Sequence, residues 1–369
     1  MAARKQNLFH TLHEILTRDL SRQEFDKLFG NDTRGMYEFY AGNMKSIEGE
    51  KRPVHRAVKF LWNFFVAFLM KLTPARRFLY AIAVVFFFLA LFQGKVESSL
   101  YAFVIINFLL ALEVADKLMT KDELAVAREI QEGLQPQTAR SASGYDLIAH
   151  SEPAREIGGD YHDILSLPSG ETLVVVGDVS GKGISSALYV IKAQTALHLF
   201  VQECSDIKTL LEKLNQHICS EVKKNYFLTL AMAKLFPSGD VELCRAGHLP
   251  ALLWKKESQT TEWLKPNGMA IGLMACANGT GKQEFERALE VQSLNMQSGD
   301  LLVFYSDGIT EAIDRNGKEY GQDRLARFFQ TFATEPLETL KHRLLNDVAL
   351  YRNGIELRDD LTFVLIRKT

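Results

Sequence analysis

The sequence predicts an α+β protein, an antiparallel β-sandwich flanked by helices and preceded by an all-α N-terminal region that carries a transmembrane helical hairpin. Three observations predict it. Two charge-free apolar runs, FLYAIAVVFFFLALF at 78–92 and LYAFVIINFLLAL at 100–112, are separated only by QGKVESS. From Tyr145 onward, short β-branched and aromatic runs alternate with turn residues, the pattern of a strand-rich domain. Four acidic motifs lie at the edges of such runs: GGDYHD at 158–163, GDVSGKG at 177–183, YSDGITE at 305–311 and RDDLT at 358–362.

Composition sets the outer limits. A chain of 369 residues with 47% hydrophobic residues is long enough for two or more domains with sizeable cores. A net charge of −2 leaves no basic excess to neutralise phosphates, which argues against a nucleic acid partner. Cys204, Cys219, Cys244 and Cys276 form no CxxC pair and read as reduced, buried thiols. The opening MAARKQNLFHTLHEILTRDL lacks the apolar core of a cleavable signal peptide.

Residues 1–73 read as a helical region. NLFHTLHEIL places apolar residues at helical spacing, SRQE at 21–24 resembles a capping box, and Gly30 ends the helix it starts. Residues 74–115 form the hairpin. Its charge-free runs hold 15 and 13 residues, whereas a span needs about 20. Extension to Pro74 and Ala115 closes the gap and puts Arg76, Arg77, Glu97 and Glu113 at the interface, where long charged side chains snorkel. Apolar character on all sides favours lipid over a soluble bundle or dimer interface, whose helices keep a polar stripe.

Basic residues flank the hairpin, Lys51, Arg52, Arg56, Lys59, Lys71, Arg76 and Arg77 before it and Lys117, Lys121 and Arg128 after it, against Lys95 alone in the turn. That bias puts both ends, and hence the domain that follows, on the cytoplasmic side of the inner membrane.

Residues 116–137 continue as a helical linker with an apolar stripe of Leu118, Leu124, Ala127, Ile130 and Leu134, stopped by Pro136. A narrow stripe needs a partner, so this helix either packs on the next domain or pairs with its copy in a homodimer. TARSASG at 138–144 marks the boundary of the last domain, 138–369. Helices are expected there at about 184–202, 207–224, 322–332 and 335–352, and the turns PSGE at 168–171 and PSGD at 237–240 imply antiparallel pairing.

The acidic motifs carry the chemistry. Aspartates delivered to strand edges by separate hairpins can converge, and clustered carboxylates raise one another's pKa unless a cation neutralises them. An all-oxygen set suits Mg²⁺ or Mn²⁺ rather than Zn²⁺. Gly158 and Gly159 permit a sharp turn beside Asp160. GGD also begins a cyclase motif, GGDEF, but Tyr161 and His162 follow here and the later motifs would go unexplained. In VVVGDVSGKG an apolar strand delivers Asp178, and Gly181 and Gly183 open a helix. A phosphate-binding loop would need GxxxxGK[ST], and the spacing here is shorter.

GDLLVFYSDGITEA repeats the design with Asp307 and a helix beginning near Thr310. RDDLTFVLI inverts it, with Asp359 and Asp360 at the start of the last strand, which in an antiparallel sheet is the same edge as its neighbours' ends. Each aspartate singly fits a turn or helix cap. Together they point to a cation site.

In order along residues 120–369, AREIQEGLQP, EIGGDYHD, GDVSGKGISSAL, FLTLAMA, RAGHLPALL, GDLLVFYSDGITEA and DDLT resemble the PPM-type (PP2C-like) metal-dependent protein serine/threonine phosphatases, in their SpoIIE/RsbU-like bacterial branch. The resemblance implies the PPM α/β/β/α sandwich and two divalent cations, Mn²⁺ or Mg²⁺. By the same resemblance Asp160 and Asp178 bridge or flank the two cations, Val179 contributes its backbone carbonyl, and Asp307 and Asp359 complete the coordination of the second cation, with Asp360 as the less favoured member of its pair. Arg155 sits where many relatives hold a phosphate-contacting arginine. The implied reaction is in-line attack of cation-activated water on phosphoserine or phosphothreonine. The implied substrate is a regulatory phosphoprotein, an anti-sigma-factor antagonist. His248, in RAGHLP, reads as a turn residue linking two strands, with proton donation to the leaving serine as the alternative. A catalytically inactive membrane-tethered scaffold is the competing reading.

Overall fold

The computed structural model describes residues 53–94, 96–134, 136, 139–219, 226–273 and 280–369. The expected helices before residue 53, the 21–24 capping box, Lys51, Arg52, Lys95 and Cys276 lie outside the described residues. Two compact units are present, one ending at Met119 and the other running from Thr120 to Thr369.

In the first unit, α1 (Pro53–Lys71) and α2 (Pro74–Gln93) precede a long helix α3 (Val96–Leu134) that continues into the second. Pro at the first turn opens α2, and Gly94 at φ 63° closes it by donating its N–H to the Ala90 carbonyl. The two arginines at the start of α2 have different partners. Arg77 caps the carbonyl end of α1, donating to Leu72 O at 2.8 Å and Met70 O at 2.9 Å. Arg76 reaches α3, donating to Glu113 at 2.9 Å and Asp116 at 2.6 Å. Both α2 and α3 are long and apolar enough to cross a membrane. They expose Phe87, Phe92, Phe103 and Phe108 along their apolar stretches.

The second unit is a four-layer α/β/β/α sandwich. Its strands are β1 (Ala139–Ala142), β2 (Tyr145–Glu152), β3 (Asp160–Ser166), β4 (Thr172–Val179), β5 (Leu228–Leu235), β6 (Asp240–Ala246), β7 (Ala251–Lys255), β8 (Thr260–Leu264), β9 (Val291–Asn295), β10 (Leu301–Tyr305) and β11 (Leu361–Lys368). One sheet has the order β1-β2-β11-β10-β7-β8 and the other β3-β4-β5-β6-β9, with antiparallel pairing throughout. Their inner faces share a core of Leu147, Val174, Val176, Leu243, Phe304 and Val364.

Helices α4 (Ile184–Phe200), α5 (Ile207–Cys219) and α6 (Thr280–Ala288) cover the five-stranded sheet, where Val175 and Met232 meet Leu197, Leu211 and Leu214. Helices α8 (Gln322–Phe332) and α9 (Leu337–Arg352) cover the six-stranded one, where Val303 and Phe363 meet Phe329 and Leu340. Successive strand residues point to opposite faces. A strand covered on both faces is therefore apolar without alternation, which accounts for the VVV run before Gly177.

Three local expectations differ from the structure. The TARSASG stretch is partly a strand: Ala139–Ala142 pairs with β2 through a two-residue turn at Ser143 (φ 55°) and Gly144 (φ 76°). Small polar residues mark a boundary by composition, but an edge strand needs only backbone pairing. The helix expected near Thr310 is a single turn, α7 (Asp307–Thr310). Cys204 and Cys244 are free thiols, whereas Cys219 is disulfide-bonded. Spacing cannot reveal a bond that depends on how the fold approximates distant Cα atoms.

Candidate metal centre

The β3 and β4 register sets Asp160 directly opposite Asp178, so a hairpin brings the first two acidic motifs side by side. Asp307 opens α7 just beyond β10, and Asp359 and Asp360 immediately precede β11, which pairs with β10. Ser306 fastens that junction. Its hydroxyl donates to the Asp360 carbonyl at 2.9 Å and accepts the Thr362 N–H at 2.9 Å. The cluster is thus assembled from both sheets.

Glycines make this approach possible by absence of bulk. A Cβ on Gly308 would lie 2.1 Å from the Asp360 carbonyl oxygen and 2.9 Å from that of Asp359. One on Gly158 would lie 2.8 Å from Asp360 Oδ2. Gly158 and Gly159 are needed for space, since neither has a positive φ, whereas Gly181 (φ 100°) and Gly183 (φ 83°) are needed for conformation. Gly308→Ala is expected to lower stability by about 3 kcal/mol in denaturant unfolding, the upper range for overpacking, because a backbone carbonyl must retreat.

The electrostatics are those of like charges held together. Burial, then Asp178 and Asp360, drives the Asp160 carboxyl well above its ordinary range. Burial, then Asp307, Asp359 and Asp360, pushes Asp178 up to about 7, opposed by Lys182. Asp307 is pushed up to about 6 by burial, Asp359 and Glu311. Asp160 is 5% exposed and its Oδ2 has no hydrogen-bond partner. A buried carboxylate oxygen without a donor is costly unless a cation meets it.

Asp359 and Asp360 behave differently. Asp360 Oδ1 accepts the Ala154 N–H at 2.7 Å, and its Oδ2 accepts the N–H groups of Gly159 at 2.5 Å and Asp160 at 3.3 Å. Both oxygens are occupied in anchoring the loop that leads into β3. Asp359 is more exposed: its Oδ2 accepts from Lys182 Nζ at 2.8 Å and its Oδ1 accepts the neighbouring Asp360 N–H at 3.0 Å. No three His, Cys, Asp or Glu side chains among the described residues are grouped to hold one ion. The donor chemistry nevertheless fits a hard divalent cation: four carboxylates, one with an orphaned buried oxygen, and no nitrogen or sulfur donor among the residues singled out. The Val179 carbonyl lies beside Gly159, 3.3 Å from where a Gly159 Cβ would stand.

The cleft beside the cluster is shallow and is lined by Arg155, Asp178, Lys182, Arg358, Asp359 and Asp360 among others. Arg155 is exposed at its rim. His248 lies elsewhere in role: it is buried, its Nδ1 is 2.9 Å from Thr229 Oγ1 and its Nε2 is 3.2 Å from the Tyr305 carbonyl. Burial lowers it to about 4, so at neutral pH it is uncharged and joins β5 to the end of β10. With both ring nitrogens engaged, it is a strut.

Two residues were missed by sequence reasoning. Asp163, also in GGDYHD, faces away from the cluster, accepting from Tyr161 Oη at 2.9 Å and lying 2.5 Å from His198 Nε2 on α4. Gln131 on α3 is buried; its Nε2 donates to Gly158 O at 2.9 Å, and its Oε1 accepts the Gly158 N–H at 3.3 Å. The stripe predicted on this helix is only partly buried, since Leu118, Ile130 and Leu134 are exposed. A glutamine on the inward face was the available signal.

The family described as Stage II sporulation protein E (SpoIIE) matches residues 168–369, more than half of the chain. The chain belongs to the SpoIIE family. Within the curated proteins it is 26% identical over 293 residues to Protein IcfG of Synechocystis sp., covering 71% of this chain and 44% of IcfG. It is 24% identical over 250 residues to the phosphoserine phosphatase RsbU of Bacillus subtilis, covering 67% of this chain and 70% of RsbU. The chain therefore spans less than half the length of one of these SpoIIE-family relatives and about two thirds of the other. The SiaA-PP2C domain of Pseudomonas aeruginosa shares the fold, with a TM-score of 0.59 at 18% identity, covering 69% of this chain and 98% of that domain.

Proposed function

We propose that the chain is a divalent-cation-dependent protein serine/threonine phosphatase acting on a phosphorylated regulatory protein. The observation that carries this reading is the convergence of Asp160, Asp178, Asp307 and Asp359 from separate strand ends, with Asp160 Oδ2 buried and unpartnered. Asp160, Asp178, the Val179 carbonyl, Asp307 and Asp359 would hold the cations, Mn²⁺ or Mg²⁺. When bound, these supply activation of water and neutralisation of phosphoryl charge. The chain's own residues do the rest. Arg155 and Arg358 line the cleft as cationic groups for the phosphoryl oxygens, and Asp360 holds the loop that sets the position of Asp160. Ser306 holds the β10 and β11 ends together. Full-length protein should hydrolyse p-nitrophenyl phosphate in Mn²⁺ and stop in EDTA; no turnover in any divalent cation would leave the scaffold reading in its place.

The substrate would be an anti-sigma-factor antagonist, in keeping with the likeness to RsbU. Residues 1–73 would form an N-terminal helical region, 74–115 a membrane hairpin, 116–137 a helical linker and 138–369 the phosphatase domain on the cytoplasmic face of the inner membrane. The exposed Val126, Ile130 and Leu134 on α3 support pairing of the linker with its copy in a homodimer. The exposed phenylalanines of α2 and α3 support the membrane reading. After alkaline carbonate washing the full chain is expected to stay in the membrane pellet; release into the supernatant would refute the spanning hairpin.

A further inference from the structure

The rim of the acidic cluster carries a cation that is already bonded to it. Lys182 stands between Gly181 and Gly183, whose positive φ values throw its side chain across the cleft. Its Nζ donates to Asp359 Oδ2 at 2.8 Å and to the Arg358 carbonyl at 3.0 Å. Arg155 and Arg358 line the same cleft, yet Lys182 is the residue that ion-pairs with the cluster among the described residues.

We propose that Lys182 is a built-in counter-ion of the centre: it holds Asp359 in the cation-free protein and must give up that carboxylate when a divalent cation takes it. This rests on the cation-dependent reading of the site. The reasoning is competitive. An ammonium and a divalent cation cannot share one carboxylate oxygen at bonding distance without strong mutual repulsion. The lysine stem is flexible and its head strongly hydrated, so the ammonium can leave for solvent where a buried guanidinium could not. Lys182 is 47% exposed and Asp359 36% exposed, so the way out is open. Lys182, Arg358 and Asp359 also line a second cleft of about 210 Å³, so the displaced head has a place at the mouth of the centre.

The test is Mn²⁺ binding by the full chain in detergent after EDTA stripping, with free Mn²⁺ read by electron paramagnetic resonance. Lys182→Met, which keeps the stem and removes the charge, is expected to tighten the weaker Mn²⁺ site about five-fold, the upper range for an exposed ion pair. Lys182→Gln should match it, and Lys182→Arg should bind no tighter than wild type. In EDTA the Lys182→Met protein should melt below wild type, and its rise on adding Mn²⁺ should be larger. Unchanged or weaker Mn²⁺ binding by both neutral variants would overturn the inference and leave Lys182 as a brace for the Arg358 and Asp359 turn. Absence of Mn²⁺ binding by the wild type would overturn the reading of the site itself.

Discussion

Asp178→Asn is expected to reduce Mn²⁺-stimulated hydrolysis of p-nitrophenyl phosphate by on the order of 10³-fold, the several kcal/mol of charge stabilisation that a bound cation supplies. The same substitution should make the EDTA-treated protein more stable. Asp178 is pushed up to about 7 and Asp307 to about 6, burial first and neighbouring aspartates second. A carboxyl whose pKa is higher folded than unfolded takes up protons on folding, so its penalty is full above the folded value and relieved as pH falls. Without cation, the wild type should therefore gain about 3 °C in melting temperature between pH 8 and pH 6.5.

From about pH 6.5 downward an opposing effect joins it. His162 and His248 are lowered to about 4 by burial and must charge on unfolding, which offsets the continuing relief at Asp178 and Asp307 as pH falls toward 4. Asp178→Asn should therefore flatten the upper limb and leave a net loss of stability in the lower one, and Mn²⁺ should flatten the upper limb of the wild type. An Asn variant with wild-type turnover, or one that melts as the wild type does across pH 8 to 6.5, would contradict this assignment.

The second large effect separates two adjacent aspartates. Asp360→Ala removes the acceptor for the N–H groups of Ala154, Gly159 and Asp160. Unsatisfied buried donors cost about 1–3 kcal/mol each, so denaturant unfolding should register a loss of about 3 kcal/mol or more, with or without Mn²⁺. Asp359→Ala removes an exposed ion pair with Lys182 worth at most about 1 kcal/mol. It should leave the fold intact and abolish the stabilisation by Mn²⁺. If Asp360→Ala kept its stability and lost only the Mn²⁺ response, the roles of the two residues would be exchanged.

Much of the architecture was legible because its signals are local. The apolar runs of the hairpin, the buried strand before Asp178 and the turns at PSGE and PSGD each follow from residue type and spacing within a dozen positions. Gly308 stands in plain view in YSDGITE, but the reason for a glycine there does not. Only the fold reveals that the carbonyls of Asp359 and Asp360 lie where its side chain would be. Asp163 could not be told from Asp160 by motif, although they sit on the same strand and take opposite roles. The linker stripe was read by period, and the buried Gln131 was passed over because burial of a polar side chain depends on finding partners in another element.

By itself, the sequence determined which residues could carry the chemistry: the aspartates at strand edges, the glycines beside them and the family to which their order belongs. It also determined the apolar lengths on which the membrane proposal rests. Tertiary structure decided how those residues divide the work. Pairing of β3 with β4 and of β10 with β11 brings the motifs together, and the hydrogen bonds that each carboxylate makes separate Asp359, turned toward Lys182, from Asp360, committed to three backbone N–H groups. Composition and spacing act along the chain, whereas a hydrogen-bond partner and a neighbouring charge are supplied by residues two hundred positions away.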